Sequence, residues 1–275
     1  MTRRRSVAGA LAGATGAALA AGLPQPAAAQ PAVPRPDPER RTFVLVHGSW
    51  HGGWCWRRVA DRLEARGHKV FAPTLTGLAD RSHLLSRDVN QATHVADLVN
   101  LFRWERLQDV VLVGHSFGGW AISAAAEQVL PQLRALVFLD AFFPENGQRA
   151  VEFQPEASRK AMEEAWARGD VSRPPFAVGA FMIADPADAA WVAELMTPQP
   201  LGTYFDPITL TGAREKVARK TYIRATRFPN PFFDRALESR KADGSWRTFE
   251  LPTGHDVMVD QPEQLTEMLV AAAAD

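Results

Sequence analysis

From residue 42 onward the chain alternates short apolar runs with longer stretches whose apolar positions recur every three or four residues. The short runs lie at 42–46, 69–72, 109–113, 134–139, 220–225 and 246–251. They are rich in β-branched, aromatic and leucine residues, and Gly, Pro, His or Asp follows most of them, as expected of strands buried on both faces. The longer stretches predict helices over 54–65, with Gly67 as the stop, and over 90–107, where Val95, Leu98, Val99 and Phe102 form one stripe. Two more are predicted at 118–130 and 263–273. Such alternation implies an α/β architecture, a mostly parallel sheet flanked by helices. Residues 144–213 break the pattern with helical spacing and no intervening strand. They are predicted to be an inserted helical cap of about three helices. Trp166, Phe176, Phe181, Met182, Trp191 and Phe205 are expected to form mostly the cap's own core, a minority of them facing a pocket.

Composition narrows the classes. The 275 residues suit one α/β domain, and 46% hydrophobic content, 23% charged content and zero formal net charge give no reason to expect a nucleic-acid partner. The single cysteine, Cys55, excludes an internal disulfide framework, and none of the seven histidines has metal-ligand spacing, so no metal and no cofactor is expected. Arg3-Arg4-Arg5 precedes an Ala/Gly/Leu stretch and the small-residue run Ala27-Ala28-Ala29. Residues 1–29 therefore read as a twin-arginine-like export signal, too weakly apolar to span a membrane. Cleavage after Ala29 would leave 28 Lys+Arg against 31 Asp+Glu, a net charge of −3. The Pro-rich residues 30–41 read as a linker and 42–275 as the globular domain, expected in a bacterial periplasm or secreted.

The candidate chemistry sits between the run Val110-Val111-Leu112-Val113 and the helix beginning near Gly118. Gly114-His115-Ser116-Phe117-Gly118 has the form of the nucleophile elbow of α/β-hydrolases, in which glycines let strand and helix approach while a strained serine projects above the sheet edge. A serine nucleophile needs a base, a group to orient it and donors for the developing oxyanion. In the order Ser, acid, His, the base falls to His255, in a Gly-containing loop after the final strand. His115, beside the nucleophile, is expected to point into the packing and to be structural. The backbone N–H groups of Phe117 and Ser49 are the expected oxyanion donors.

The stretch Val46-His47-Gly48-Ser49-Trp50-His51-Gly52-Gly53-Trp54, followed by Ala65-Arg66-Gly67-His68 and the elbow, resembles the plant methylesterase and hydroxynitrile lyase branch of the α/β-hydrolases. It is similar also to that branch's bacterial esterases, including carbendazim-type hydrolases. The resemblance runs from Thr42 onward and is weakest through the cap. It implies the α/β-hydrolase fold and hydrolysis of a small ester or carbamate through an acyl-enzyme. Lyases of the branch carry Thr where this chain has Gly48, and Lys, which stabilises departing cyanide, where it has Asp256. Both departures disfavour the lyase. The branch usually places its acid after the strand at 220–225, yet Thr226-Arg227-Phe228-Pro229-Asn230-Pro231 contains no carboxylate. Asp140, at the end of the strand after the elbow helix, is the preferred acid; Asp234 is the rival, and a site without a carboxylate partner is the remaining reading.

The expected enzyme is thus a serine carboxylesterase using Ser116, His255 and Asp140, with Trp50, Phe142 and Phe143 as candidates to line an apolar pocket. The competing class is a small-ligand-binding protein that keeps the fold without turnover.

Overall fold

The computed structural model describes residues 40–274; the expected export signal and most of the linker lie outside the described residues. Six strands form the main sheet: β1 (Thr42–Val46), β2 (Lys69–Phe71), β3 (Val110–His115), β4 (Leu133–Leu139), β7 (Arg219–Ala225) and β8 (Trp246–Leu251). Every pairing is parallel, in the order β2-β1-β3-β4-β7-β8. The order reverses between β1 and β3, which opens a crevice at their C-terminal ends.

Alternation along each strand explains the two helical layers. Phe43 and Leu45 join Val111, Val113, Val137 and Ile223 on one face, covered by α1 (Arg57–Ala65) and α8 (Pro262–Ala273). Val44 and Val46 join Leu112, Leu136 and Phe138 on the other, covered by α2 (Gln91–Trp104), α3 (Gly118–Val129) and α6 (Pro231–Ala242). Phe43, Val44, Leu45 and Val46 are fully buried. Each such side chain contributes about 1.5–3 kcal/mol relative to exposure, so both faces of β1 anchor the loop that follows it.

Element ends follow local chemistry. Gly67 has φ 84° just past α1, where the left-handed residue closes the helix. Asn90 caps α2, its side chain accepting from the Thr93 N–H at 3.1 Å, and Asn230 caps α6 by accepting from Phe232 N–H at 3.0 Å. The helix predicted from residue 54 begins as a 3₁₀ turn (Gly53–Trp56), and the one predicted to 107 ends at Trp104.

Between β4 and β7 the chain leaves the sheet. The inserted segment holds two α-helices, α4 (Glu156–Arg168) and α5 (Pro186–Leu195), rather than about three, and several short 3₁₀ turns. It also contains strands absent from the sequence reading: β5 (Ser172–Arg173) and β6 (Gln199–Pro200), paired antiparallel. Two-residue strands lack a readable period, which is why the pattern hid them. The short α7 (Val257–Asp260) leads into α8.

Candidate active site

Register brings the strand ends together. Val46 pairs with Gly114, His115 with Leu139, and Leu139 with Ile223, so β1, β3, β4 and β7 finish side by side. Ser116 follows β3 with φ 52°. Its N–H donates to Leu139 C=O at 3.2 Å, and its C=O accepts from the N–H groups of Gly119 and Phe142, both at 3.1 Å. Those bonds hold the left-handed conformation that turns the side chain into the crevice. Close approach requires glycine on both sides of it. A Cβ on Gly118 would lie 2.8 Å from the His47 carbonyl oxygen, and one on Gly48 would lie 2.7 Å from Ser116 Cβ.

His255 and Asp140 meet from separate strand ends. His255 Nδ1–H donates to Asp140 Oδ2 at 2.6 Å, both side chains being buried. This contact places the proton on Nδ1 and leaves the Nε2 lone pair free to act as a base. Asp140, at φ 41°, accepts on its other oxygen from Arg224 Nη1–H at 2.6 Å and Ala225 N–H at 3.0 Å. The His255 ring stacks on Phe228 at 4.2 Å between centroids, with Phe233 and Phe181 near parallel to it. Thus the loop where the resemblance would place an acid supplies an aromatic face to the imidazole instead. Asp234 lies on α6 with its side chain 61% exposed; it reaches Asp140 only through Arg224, which it contacts at 2.7 Å.

The loop after β1 is held from several directions. His47 Nε2 accepts from Leu75 N–H at 3.0 Å, so its Nδ1–H donates to Gly48 C=O at 2.8 Å. Burial lowers the His47 pKa to about 3, keeping that ring neutral. Trp50 has φ 65°; its N–H donates to Gln199 Oε1 at 3.1 Å, and its C=O accepts from Thr197 N–H at 2.9 Å. The inserted segment therefore clamps this loop. Among the described residues, neither Ser49 N–H nor Phe117 N–H donates to a backbone acceptor in the turns and loops. Ser49 Oγ meets the Tyr204 hydroxyl at 3.2 Å. His115 is buried, donates from Nε2–H to His255 C=O at 3.0 Å, and is driven well below the ordinary imidazole pKa by burial.

Ser116, His255, Ser49 and Phe117 open on one cavity of about 440 Å³. Trp50 and Phe142 line it, with Phe153, Phe228, Phe232 and Tyr204. Phe143 does not. It turns away to pack on Phe138 and Trp246, its ring held between the guanidinium groups of Arg214 and Arg240. The two consecutive rings thus serve different surroundings, Phe142 the cavity and Phe143 the packing on Phe138 and Trp246. Of the bulky residues singled out in the cap, Phe176 and Phe181 reach the cavity; Trp166 stacks on Phe205 and Trp191 packs on Trp54. No Lys, Arg, Asp or Glu lines the cavity among the described residues. Asp256 is fully buried and bonded to His51 rather than facing the chamber. A larger groove of about 770 Å³, edged by Arg57, Asp61, Glu64 and Glu194, holds none of these groups.

Sequence reasoning missed Arg224, Phe228, Tyr204 and the His51–Asp256 pair. The empty acid position in 226–231 was a signal for the first two, because a carboxylate held elsewhere needs other support. No local signal marked Tyr204, whose partner is 155 residues away.

Comparison with known proteins identifies the family and the fold. The pattern of the Alpha/beta hydrolase family matches residues 43–268. A Carbendazim hydrolyzing esterase from Nocardioides sp. (strain SG-4G) is 38% identical over 242 residues, covering 83% of this chain and 98% of the relative. Putative methylesterase 15, chloroplastic, from Arabidopsis thaliana is 27% identical over 84% of this chain, which spans 56% of the plant protein. A solved extracellular alpha/beta-hydrolase from a Paenibacillus species superposes with a TM-score of 0.74 at 27% identity, covering 86% of this chain and all of the other. The chain belongs to the alpha/beta hydrolase family.

Proposed function

We propose that the protein is a serine carboxylesterase that cleaves a small, largely apolar ester or carbamate through an acyl-enzyme. The observation that carries this reading is the His255 Nδ1–H contact to Asp140 at 2.6 Å, which leaves Nε2 as a base on the cavity it shares with Ser116. Ser116 Oγ attacks the carbonyl carbon and its proton passes to His255 Nε2. The N–H groups of Ser49 and Phe117 receive the oxyanion, and His255 returns the proton to the leaving oxygen or nitrogen. A water molecule repeats the cycle on the acyl-enzyme. These steps require no cofactor.

The substrate class follows from the lining. Aromatic rings dominate, charged side chains are absent from it among the described residues, and Gln154, Asn230 and Tyr204 offer neutral polar contacts. A flat, neutral molecule suits such a chamber, whose volume falls in the lower part of the usual range for ligand pockets. The carbendazim-hydrolyzing relative supports including carbamates. Cyanohydrin cleavage fits less well. The cavity offers no cation for departing cyanide, and a threonine at Gly48 would require Ser116 to shift.

A fluorophosphonate probe with p-nitrophenyl butyrate turnover tests the reading. The wild-type protein is expected to be labelled and to hydrolyse the ester, whereas Ser116→Ala should do neither. Absence of both labelling and turnover in the wild type would favour the ligand-binding reading.

A further inference from the structure

A second buried histidine–carboxylate pair lies behind the Ser49–Trp50 loop, and the esterase steps above do not use it. His51 is 1% exposed and Asp256 is fully buried. His51 Nε2 meets Asp256 Oδ2 at 3.1 Å, and His51 Nδ1 meets Ser49 C=O at 2.8 Å. A carbonyl and a carboxylate are both acceptors. A neutral imidazole carries one ring proton and satisfies only one of them; an imidazolium satisfies both.

We propose that His51 is a buried imidazolium that positions the oxyanion loop, with Asp256 as its fixed counter-ion. The proposal rests on the serine-esterase reading, because it assigns Ser49 N–H to the oxyanion. The Nδ1–H bond closes a turn across Trp50, the residue of the loop with φ 65°. It fixes the Ser49–Trp50 peptide and, one residue back, the direction of Ser49 N–H. Asp256 directly follows His255, so one ion pair joins the loop that receives the oxyanion to the loop that carries the base.

The surroundings favour the charged form. Trp54 stacks on His51 at 5.2 Å, and Phe181 approaches edge-on at 5.5 Å from the inserted segment. Burial keeps His47 and His115 neutral and pushes the Cys55 thiol up, so Asp256 is the charged group facing the ring. Burial opposes a charge on His51, but the Asp256 carboxylate outweighs it and raises the pKa. Burial likewise opposes a charge on Asp256, which His51 nevertheless brings down to about 2. The raised pKa favours the second proton that the two acceptors call for, and that proton is lost as pH rises through the raised value.

Nitrogen-15 NMR of the wild-type protein at pH 7 tests the charge, with the His51 signals assigned by their loss in His51→Gln. The expected result is a ring protonated at both nitrogens; a singly protonated ring overturns the proposal. Positioning is tested with p-nitrophenyl butyrate. His51→Gln and Asp256→Asn should each lower kcat about 10- to 100-fold, with KM within about threefold of wild type. Asp256→Asn should also move the alkaline limb of the kcat profile to lower pH, because its histidine has lost its counter-ion. If His51→Gln does not fold by circular dichroism, Asp256→Asn carries the kinetic test and spiking with selectively labelled histidine variants carries the assignment. An unchanged kcat, or a loss confined to KM, overturns the positioning role. A wild type that hydrolyses no ester defeats the esterase reading, whereas the spectrum tests the imidazolium independently of turnover.

Discussion

Trp50, Ser116 and Asp140 all have positive φ, at 65°, 52° and 41°, and each sits in a loop leaving the C-terminal end of a strand. Such a conformation costs on the order of 1–3 kcal/mol for a residue other than glycine, and here it aims three side chains or amides at one crevice. Asp140 is the most constrained: one oxygen serves His255, the other Arg224 and Ala225. Asp140→Asn preserves the shape but presents an NH₂ or a weaker acceptor to the imidazole. The proton then favours Nε2, and the base is lost. Turnover of p-nitrophenyl butyrate is expected to fall roughly 10²–10⁴-fold. Asp234→Asn, altering an exposed carboxylate that touches Arg224, should cost less than about tenfold. The opposite ranking would move the acid to Asp234. The position of Asp140 was legible because a strand's last residue can be read from where its apolar run stops. Its bond to His255 was a preference among alternatives, since two residues 115 apart share no local pattern.

At the level of elements, β7 and α6 brace Asp140 rather than supply the carboxylate that meets His255. Arg224, buried near the end of β7, donates from Nη1 to Asp140 and to Ala225 C=O, and from Nη2 to Phe228 C=O and Asp234. One guanidinium thus ties the end of β4 to its own strand, the following loop and α6. Arg224→Met would leave Asp140 buried without its cation, at a cost of about 3–5 kcal/mol. Arg224→Lys keeps a charge but lacks the planar fork, so it should recover part of the stability without restoring full turnover. Urea unfolding, paired with ester assays, separates the two; wild-type stability in Arg224→Met would sink the assignment. The main elements themselves were largely legible. β1 and β8 match their predicted spans, and α3 and α8 come within one residue at each end. The insertion was legible as a break in the alternation, but its internal detail was not, because two-residue strands and single contacts such as Gln199 with Trp50 leave no repeating period. Arg224 read as one polar residue in a strand for the same reason: its four partners come together only when the sheet forms.

For the whole molecule, buried histidines of opposite behaviour set a window of stability. Burial lowers the pKa of His47 to about 3 and also lowers those of His94 and His115. In the unfolded chain each returns to about 6.5. As pH falls below that value, the unfolded state takes up protons that the folded state refuses, so stability present above pH 6.5 is progressively lost toward pH 3. Each such group contributes up to about 1.4 kcal/mol per pH unit, against a total of about 5–15 kcal/mol for an ordinary domain. His51 has the reverse sign: its folded pKa is raised, so its contribution is complete below the unfolded value and disappears as pH climbs through the folded one. Urea midpoints measured from pH 4 to pH 10 are therefore expected to peak near neutrality. Asparagine or glutamine at His47, which can retain a neutral hydrogen bond, should flatten the acid limb while leaving the alkaline limb in place. His51→Gln should flatten the alkaline limb instead. An acid limb unchanged by substitution at His47 would mean that the carboxylates, and not the buried imidazoles, govern acid unfolding.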